Sequence, residues 1–433
     1  SPAGNLLPRT RILTKNIIGT SIMRTVGRRM LSSTISIVGP KHIVFGNVER
    51  TLGLLVKETI KREKPLIVTD QYLAKKTNVV SIMIESLEKV GIKDVEIFTD
   101  TAKEPTTENV DRLVDKLLEK NTIDCILACG GGSVMDAAKA ASVLAECTDK
   151  DLASYKAPYD MSGEVEKFPV IALPTTSGTG SEVTKFVVCT HSTTGEKMLC
   201  LGSAYVPRVA LVDYELTLSV PAKLAAETGI DALCHSMEAM VSKKANWYSD
   251  ACAKSALSAI GSHLRLACQG DRNGREAMSR AATMAGLAFG NASVTLIHGM
   301  SRPLGAHFHI SHGLSNALLC PDITHFSLQA HRSGYSQVAQ FLFPHDPTLE
   351  HLPTNLAQLN GQLGLPMLRQ VLSHIKTQEF LDLIPRMAKE ALASGSPANN
   401  PRLPSESDIA HLYRRIFLRG ENNDAASWHS WQP

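Results

Sequence analysis

Asp231 and His235 stand four residues apart in Gly229-Ile-Asp-Ala-Leu-Cys-His235. On a helix, that spacing puts both side chains on one face, where a carboxylate and an imidazole can ligate one ion. Further on, His298, His307, His309 and His312 place four of the chain's fifteen histidines in one short segment. A carboxylate with two or three imidazoles suits a divalent ion such as iron, zinc or cobalt, and spacing alone does not choose among them. The competing reading is two unrelated pairs of core or surface histidines.

A second constellation is rich in backbone and hydroxyl donors. Gly130-Gly131-Gly132-Ser133 lies between an apolar run and an Ala-rich segment. Free N–H groups at a helix start bind phosphate, and glycine lets a pyrophosphate come close. Pro174-Thr175-Thr176-Ser177-Gly178-Thr179-Gly180-Ser181 offers another such turn. Two donor-rich turns suggest one extended phosphate-bearing ligand. The G-x-G-x-x-G fingerprint is absent. Asp70, after Pro65-Leu-Ile-Val-Thr69, can bond ribose hydroxyls and would repel a 2′-phosphate, which favours NAD over NADP. Its plainer role is a turn or cap aspartate. Lys139 reads as a solvated or packing residue.

These residues need elements to hold them. Apolar runs at 65–69, 94–98, 124–129, 168–173 and 208–212 read as strands. Helix-period segments separate several of them, up to Gly91, at 108–120 and at 134–145. Strand and helix alternating in this way argue for a parallel sheet covered by helices, whose ligands gather at the carboxyl ends of strands. After Asp213 the character changes. Ser219 is a candidate N-cap, with Pro221 in the first turn. Ala/Leu/Met-rich helices are expected at 221–242, 247–267, 274–290, 355–376, 377–393 and 405–418. The fold class is an α/β N-terminal dinucleotide-binding domain with a parallel sheet plus an all-α C-terminal metal-binding domain. The expected division is 1–35 as targeting peptide or disordered tail, 36–218 and 219–433.

Composition narrows the function classes. Of 433 residues, 43% are hydrophobic and 20% charged, an ordinary globular balance. No apolar stretch reaches membrane-spanning length. Nine cysteines without a C-x-x-C read as buried free thiols in a reducing compartment. The net charge of +3 hides an asymmetry. Residues 1–47 hold seven bases and no acid, so the rest carries −4. That balance argues against a nucleic-acid partner. Ile22, Met23, Val26 and Met30 share one face, with Arg24 and Arg28 opposite. This amphipathic, acid-free segment looks like a mitochondrial targeting peptide, with a basic tail as the plainer reading. A matrix location is expected, with the cytoplasm as the alternative. The chain opens on Ser1, and Met23 or Met30 is a candidate initiator.

Four motifs fall in one order: Gly130-Gly-Gly-Ser-Val-Met-Asp-Ala-Ala-Lys-Ala, Pro174-Thr-Thr-Ser-Gly-Thr-Gly-Ser-Glu-Val-Thr, Gly229-Ile-Asp-Ala-Leu-Cys-His-Ser-Met-Glu-Ala, and His298-Gly-Met-Ser through His312-Gly-Leu-Ser-Asn-Ala. The chain resembles the iron-containing (group III) alcohol dehydrogenases from about residue 38 to beyond Arg402. The resemblance implies metal ligands Asp231, His235, His298 and His312, with His307 and His309 lining or bordering the cleft. It implies cofactor contacts from Asp70, Gly131, Gly132, Ser133, Thr175, Thr176, Thr179 and Lys197. The implied cofactors are NAD and a divalent metal, Fe2+ first and Zn2+ second. The implied substrate is a small primary alcohol or aldehyde, and the implied assembly a homodimer or larger homo-oligomer. Such an ion acts as a Lewis acid on the alcohol oxygen, and the carbon then gives hydride to the nicotinamide.

Arg302 departs from the pattern, since many members of the family carry a second histidine there that helps move a proton. An arginine stays charged and relays protons poorly. It can instead hold a substrate carboxylate, as in a 4-hydroxybutyrate-type dehydrogenase, or be a salt-bridged residue of the cleft wall. A mitochondrial hydroxyacid–oxoacid transhydrogenase is the runner-up, but the His298–His312 segment is short for it. A dehydroquinate-synthase type of enzyme conflicts with the same motif. A binding module without turnover has no need of an open metal site.

Overall fold

The structure, a computed structural model, describes residues 34–102, 104–119, 122–147 and 151–419. The amphipathic basic segment at residues 22–30 lies outside the described residues. Eight strands are seen among them: β1 His42–Phe45, β2 Pro65–Val68, β3 Glu96–Phe98, β4 Cys125–Gly130, β5 Val170–Pro174, β6 Phe186–Thr190, β7 Lys197–Leu201 and β8 Val209–Val212. The helices of the sheet region are α1 Val48–Leu54, α2 Gln71–Lys76, α3 Val79–Glu88, α4 Thr107–Leu118 and α5 Gly132–Leu144.

Six strands form one parallel sheet in the order β1-β8-β5-β4-β2-β3, and β6 pairs antiparallel with β7 in a separate ribbon. The sheet is buried on both faces because successive side chains point to opposite sides. Along β4, Cys125, Leu127 and Cys129 join a core with Leu52, Met83 and Leu87 of α1 and α3. Ile126 and Ala128 join the opposite core, with Leu113 of α4 and Met135 of α5. All nine cysteines are free, and seven are buried. The chain order reverses direction around β2 and β4. The loops leaving their carboxyl ends therefore diverge and open a crevice.

Helices follow from residue 222 onward: α6 Ala222–Val241, α7 Trp247–Cys268, α8 Arg272–Ala292, α9 Leu296–Phe308, α10 His312–Ser327, α11 Arg332–Leu342, α12 Leu352–Gln362, α13 Leu368–Val371, α14 Thr377–Ala393 and α15 Glu406–Leu418. Sixteen of the twenty residues of α6 are buried, the signature of a helix surrounded on all sides. No helix among the described residues is long and apolar enough to cross a membrane.

Several expectations shift. Pro221, not Ser219, occupies the N-cap of α6, and its carbonyl accepts from Ala225 N at 2.9 Å. The single helix expected at 355–376 is broken into α12 and α13, because Gly364 adopts φ +70° and Pro366 follows. The segment up to Gly91 is two helices, α2 and α3, divided at Thr77-Asn78.

Candidate active site

Three helices bring four ligand-type side chains together. Asp231 and His235 lie on α6, His298 on the first turn of α9, and His312 opens α10. One donor atom from each lies within 4.8 Å of all the others. Asp231 Oδ1 is 3.4 Å from His298 Nε2, 3.6 Å from His312 Nε2 and 3.7 Å from His235 Nε2. Ligand bonds of about 2.0–2.2 Å at tetrahedral angles separate neighbouring donors by about 3.4 Å. The donors are thus spaced as the corners of a coordination polyhedron around a divalent ion. Asp231, His235 and His298 are nearly inaccessible, whereas 42% of the His312 side chain is exposed. The site therefore opens on the His312 side, where a substrate oxygen can enter.

The donors are held from behind. Glu238 Oε2 bonds His298 Nδ1, which turns Nε2 toward the other donors. Glu238 Oε1 is fixed in turn by Thr295 Oγ1 and Ile297 N, both at 2.7 Å. Asn316 Nδ2 donates to Asp231 Oδ1 at 2.7 Å. Ser311, just before His312, donates its hydroxyl to Glu227 Oε2 at 2.7 Å, one turn before Asp231 on α6. The His235 ring lies between Phe289 and His298, with centroids at 4.0 and 4.5 Å. Burial pushes the His235 imidazole down to about 4, so it is neutral and ready to ligate at pH 7. Burial works the same way on His298, but Glu238 and Asp231 outweigh it and hold that ring up at about 9. For Asp231, burial is outweighed by His235, His312 and His298, which hold the carboxyl below its usual range.

The second constellation gathers at the carboxyl ends of β2, β4 and β5. Gly131 is the N-cap of α5 and provides no side-chain cap. The first N–H groups of α5 thus point outward without intrahelical partners, as an anion site requires. The 174–181 turn lies directly over them: a Cβ on Gly132 would come within 2.9 Å of Thr179 Cγ2. Thr175 N donates to Gly130 O at 3.0 Å. Thr176 Oγ1 is buried and has no hydrogen-bond partner among the described residues. A cradle closed to any side chain at Gly132, plus an orphaned hydroxyl, fits a dinucleotide pyrophosphate. Asp70 caps α2, with Oδ1 accepting from Leu73 N at 2.9 Å. Lys197 pairs with Glu104 at 3.1 Å, and its charge is felt at His312.

Comparison with known proteins bears on this geometry. Residues 40–214 match the family described as iron-containing alcohol dehydrogenase, and residues 225–417 match its C-terminal family. The 1,3-propanediol dehydrogenase of Citrobacter freundii is 34% identical over 398 residues, covering 89% of this chain and 98% of that protein. The chain belongs to the iron-containing alcohol dehydrogenase family. The NADPH-dependent butanol dehydrogenase of Clostridium saccharobutylicum is 31% identical, covering 88% of this chain and 98% of that one. A crystal structure of 1,3-propanediol oxidoreductase superposes with a TM-score of 0.81 at 30% identity, over 89% of this chain and all of that one. As a member of this family, the chain interconverts alcohols and aldehydes.

Two further histidines of the motif stand outside the donor cluster. His307 Nε2 bonds Glu390 Oε2 at 2.7 Å, and Arg386 bonds the same carboxylate. His309 closes α9 in the left-handed region at φ 53° and is exposed. Neither belongs to the donor cluster. Lys139 is buried rather than solvated, and bonds Phe186 O at 2.6 Å and Ser181 Oγ at 2.9 Å. With Asp136, which accepts from Ser181 Oγ at 2.6 Å, it ties α5 to the 174–181 turn. Arg302 has no carboxylate partner among the described residues, and its Nη1 reaches only Ser394 O at 3.4 Å. Sequence reading missed Glu238, Asn316 and Glu227 as supports. The i, i+4, i+7 stripe of Asp231, His235 and Glu238 on an otherwise apolar helix was the available signal for Glu238.

Proposed function

We propose that this chain is an NAD(H)-linked, iron-loaded alcohol dehydrogenase that reduces small aldehydes and oxidises small primary alcohols. The four-donor cluster on α6, α9 and α10 carries the reading. A bound divalent ion supplies Lewis acidity to the substrate oxygen, and the nicotinamide supplies or accepts the hydride. The chain itself does the positioning. Glu238 and Asn316 fix the donor atoms, and the turn over α5 fixes the pyrophosphate. His312 leaves the entrance open. Together they hold the substrate carbon against the cofactor, where orientation supplies much of the rate. Asp70 supports NAD over NADP, because its carboxylate would meet a 2′-phosphate with like charge. Histidine-rich donors with one carboxylate suit Fe2+ and also accept Zn2+. We also infer a mitochondrial matrix location from the acid-free, basic N-terminal segment.

The test is NADH oxidation by the iron-loaded protein with short aldehydes, beside Asp231→Ala. Wild type is expected to turn over NADH, with NADPH a poorer donor, while Asp231→Ala is inactive and nearly metal-free. An active, metal-free Asp231→Ala would contradict the reading.

A further inference from the structure

Arg302 is a half-buried arginine with no carboxylate paired to it among the described residues. On α9 it follows His298 by four residues, which places it about 6 Å farther along the axis and about 40° around it. It therefore borders the face that presents His298 to the donor cluster. On its other side Gly299 packs against Pro397, since a Cβ there would fall 2.6 Å from Pro397 Cγ. The arginine thus sits at the seam between the metal site and the 396–399 turn. One long bond, Nη1 to Ser394 O at 3.4 Å, is its only protein hydrogen bond among the described residues. Glu238 is the carboxylate whose charge reaches it, but that group is committed to His298, Thr295 and Ile297. Burial pushes the guanidinium below its ordinary value, a sign of an uncompensated charge. Its Nε and Nη2 are not among the buried atoms lacking a partner. No hydrogen bond among the described residues takes either atom, and a planar fork with unused donors matches a carboxylate.

We propose that Arg302 is a specificity residue, and that the site takes short aldehydes and alcohols carrying a terminal carboxylate. This rests on the alcohol–aldehyde reading above. The guanidinium holds the carboxylate while the carbonyl end faces the donor cluster. In the reducing direction the aldehyde carbon gains a hydride from NADH and its oxygen gains a proton from solvent. Succinate semialdehyde, NADH and a proton thus give 4-hydroxybutyrate and NAD+. An aliphatic aldehyde of the same length leaves the arginine unpaired, and a site with an unpaired polar group discriminates against such an analogue.

The experiment compares kcat/KM for succinate semialdehyde and pentanal in wild type, Arg302→Met and Arg302→Lys, all iron-loaded. Wild type is expected to favour the acid. Arg302→Met should lose about 10–100-fold on the acid, the size of a charge-assisted pair, and less than about threefold on pentanal. The loss should fall mainly on KM, as expected for a contact away from the reacting carbon. Arg302→Lys should retain part of the preference, and reading it against Arg302→Gln covers a poorly folded methionine variant. Calorimetric binding of 4-hydroxybutyrate to the NADH complex should weaken in parallel. Salt should raise the wild-type KM for the acid but not for pentanal. Equal losses on both substrates, no preference in wild type, or a rise in KM for NADH alone would overturn the proposal. Turnover of pentanal without a preference for the acid defeats the arginine's role alone. Turnover of neither aldehyde defeats the alcohol–aldehyde reading as well.

Discussion

The four clustered side chains, Asp231, His235, His298 and His312, illustrate what residue identity and spacing can reveal. Asp231 and His235 are legible because helical spacing makes them neighbours. His298 and His312 are legible as part of a histidine-rich segment, although choosing them over His307 and His309 needed the family motif. Their supports are harder to see. Glu238 works through His298, sixty residues away, and Asn316 works through Asp231 from another helix. Contacts of that kind exist only after folding. They should nonetheless be felt in the metal affinity. Glu238→Gln removes the charge that orients His298, and metal affinity is expected to fall about 10–100-fold. Chelator competition followed by elemental analysis reads this directly. An unchanged affinity would mean that His298 is oriented by packing alone.

At the scale of elements, the strands of the sheet were largely legible as apolar runs. The two shorter helices of the donor cluster were not, and each contains a proline, Pro303 in α9 and Pro321 in α10. A helical proline removes an N–H and leaves the carbonyl four residues earlier unpaired. In α10 that carbonyl is Ala317 O, and Asn360 Nδ2 on α12 takes it at 2.7 Å. Tertiary structure thus repairs a break that local reading treats as a helix end. The β6–β7 ribbon was missed as well. Its strands alternate buried and half-buried residues over only five positions each, too short to stand out from a loop. The α5 cradle makes a sharper test. Gly132→Ala places a methyl against Thr179 Cγ2, so either the turn or the helix start must shift. The KM for NADH is expected to rise about tenfold, the loss of one charge-assisted bond, with a smaller change in kcat. A selective loss of kcat with KM intact would place the cofactor elsewhere.

For the whole molecule, we propose that a targeting segment precedes the enzyme. Cleavage near residue 34 removes six bases and no acid from 45 and 42, so the +3 becomes −3. The native mature protein is therefore expected to be acidic and to begin near residue 34. N-terminal sequencing of protein from its source tests this, and residues 1–20 found there would refute it. The sheet ends at Val212 and the long helices start at Ala222, and the 174–181 turn packs on them, since a Cβ on Gly178 would meet Thr228 of α6 and one on Gly180 would meet Gly286 of α8. That arrangement makes the central claim that turnover depends on one divalent ion held by Asp231, His235, His298 and His312. The most direct test strips the protein with chelator and titrates Fe2+ back without oxygen, following NADH oxidation with a short aldehyde. The account predicts no activity in the stripped protein and a linear recovery that saturates at one ion per chain. Full activity in the stripped protein, or recovery that ignores the loss of Asp231, would contradict it.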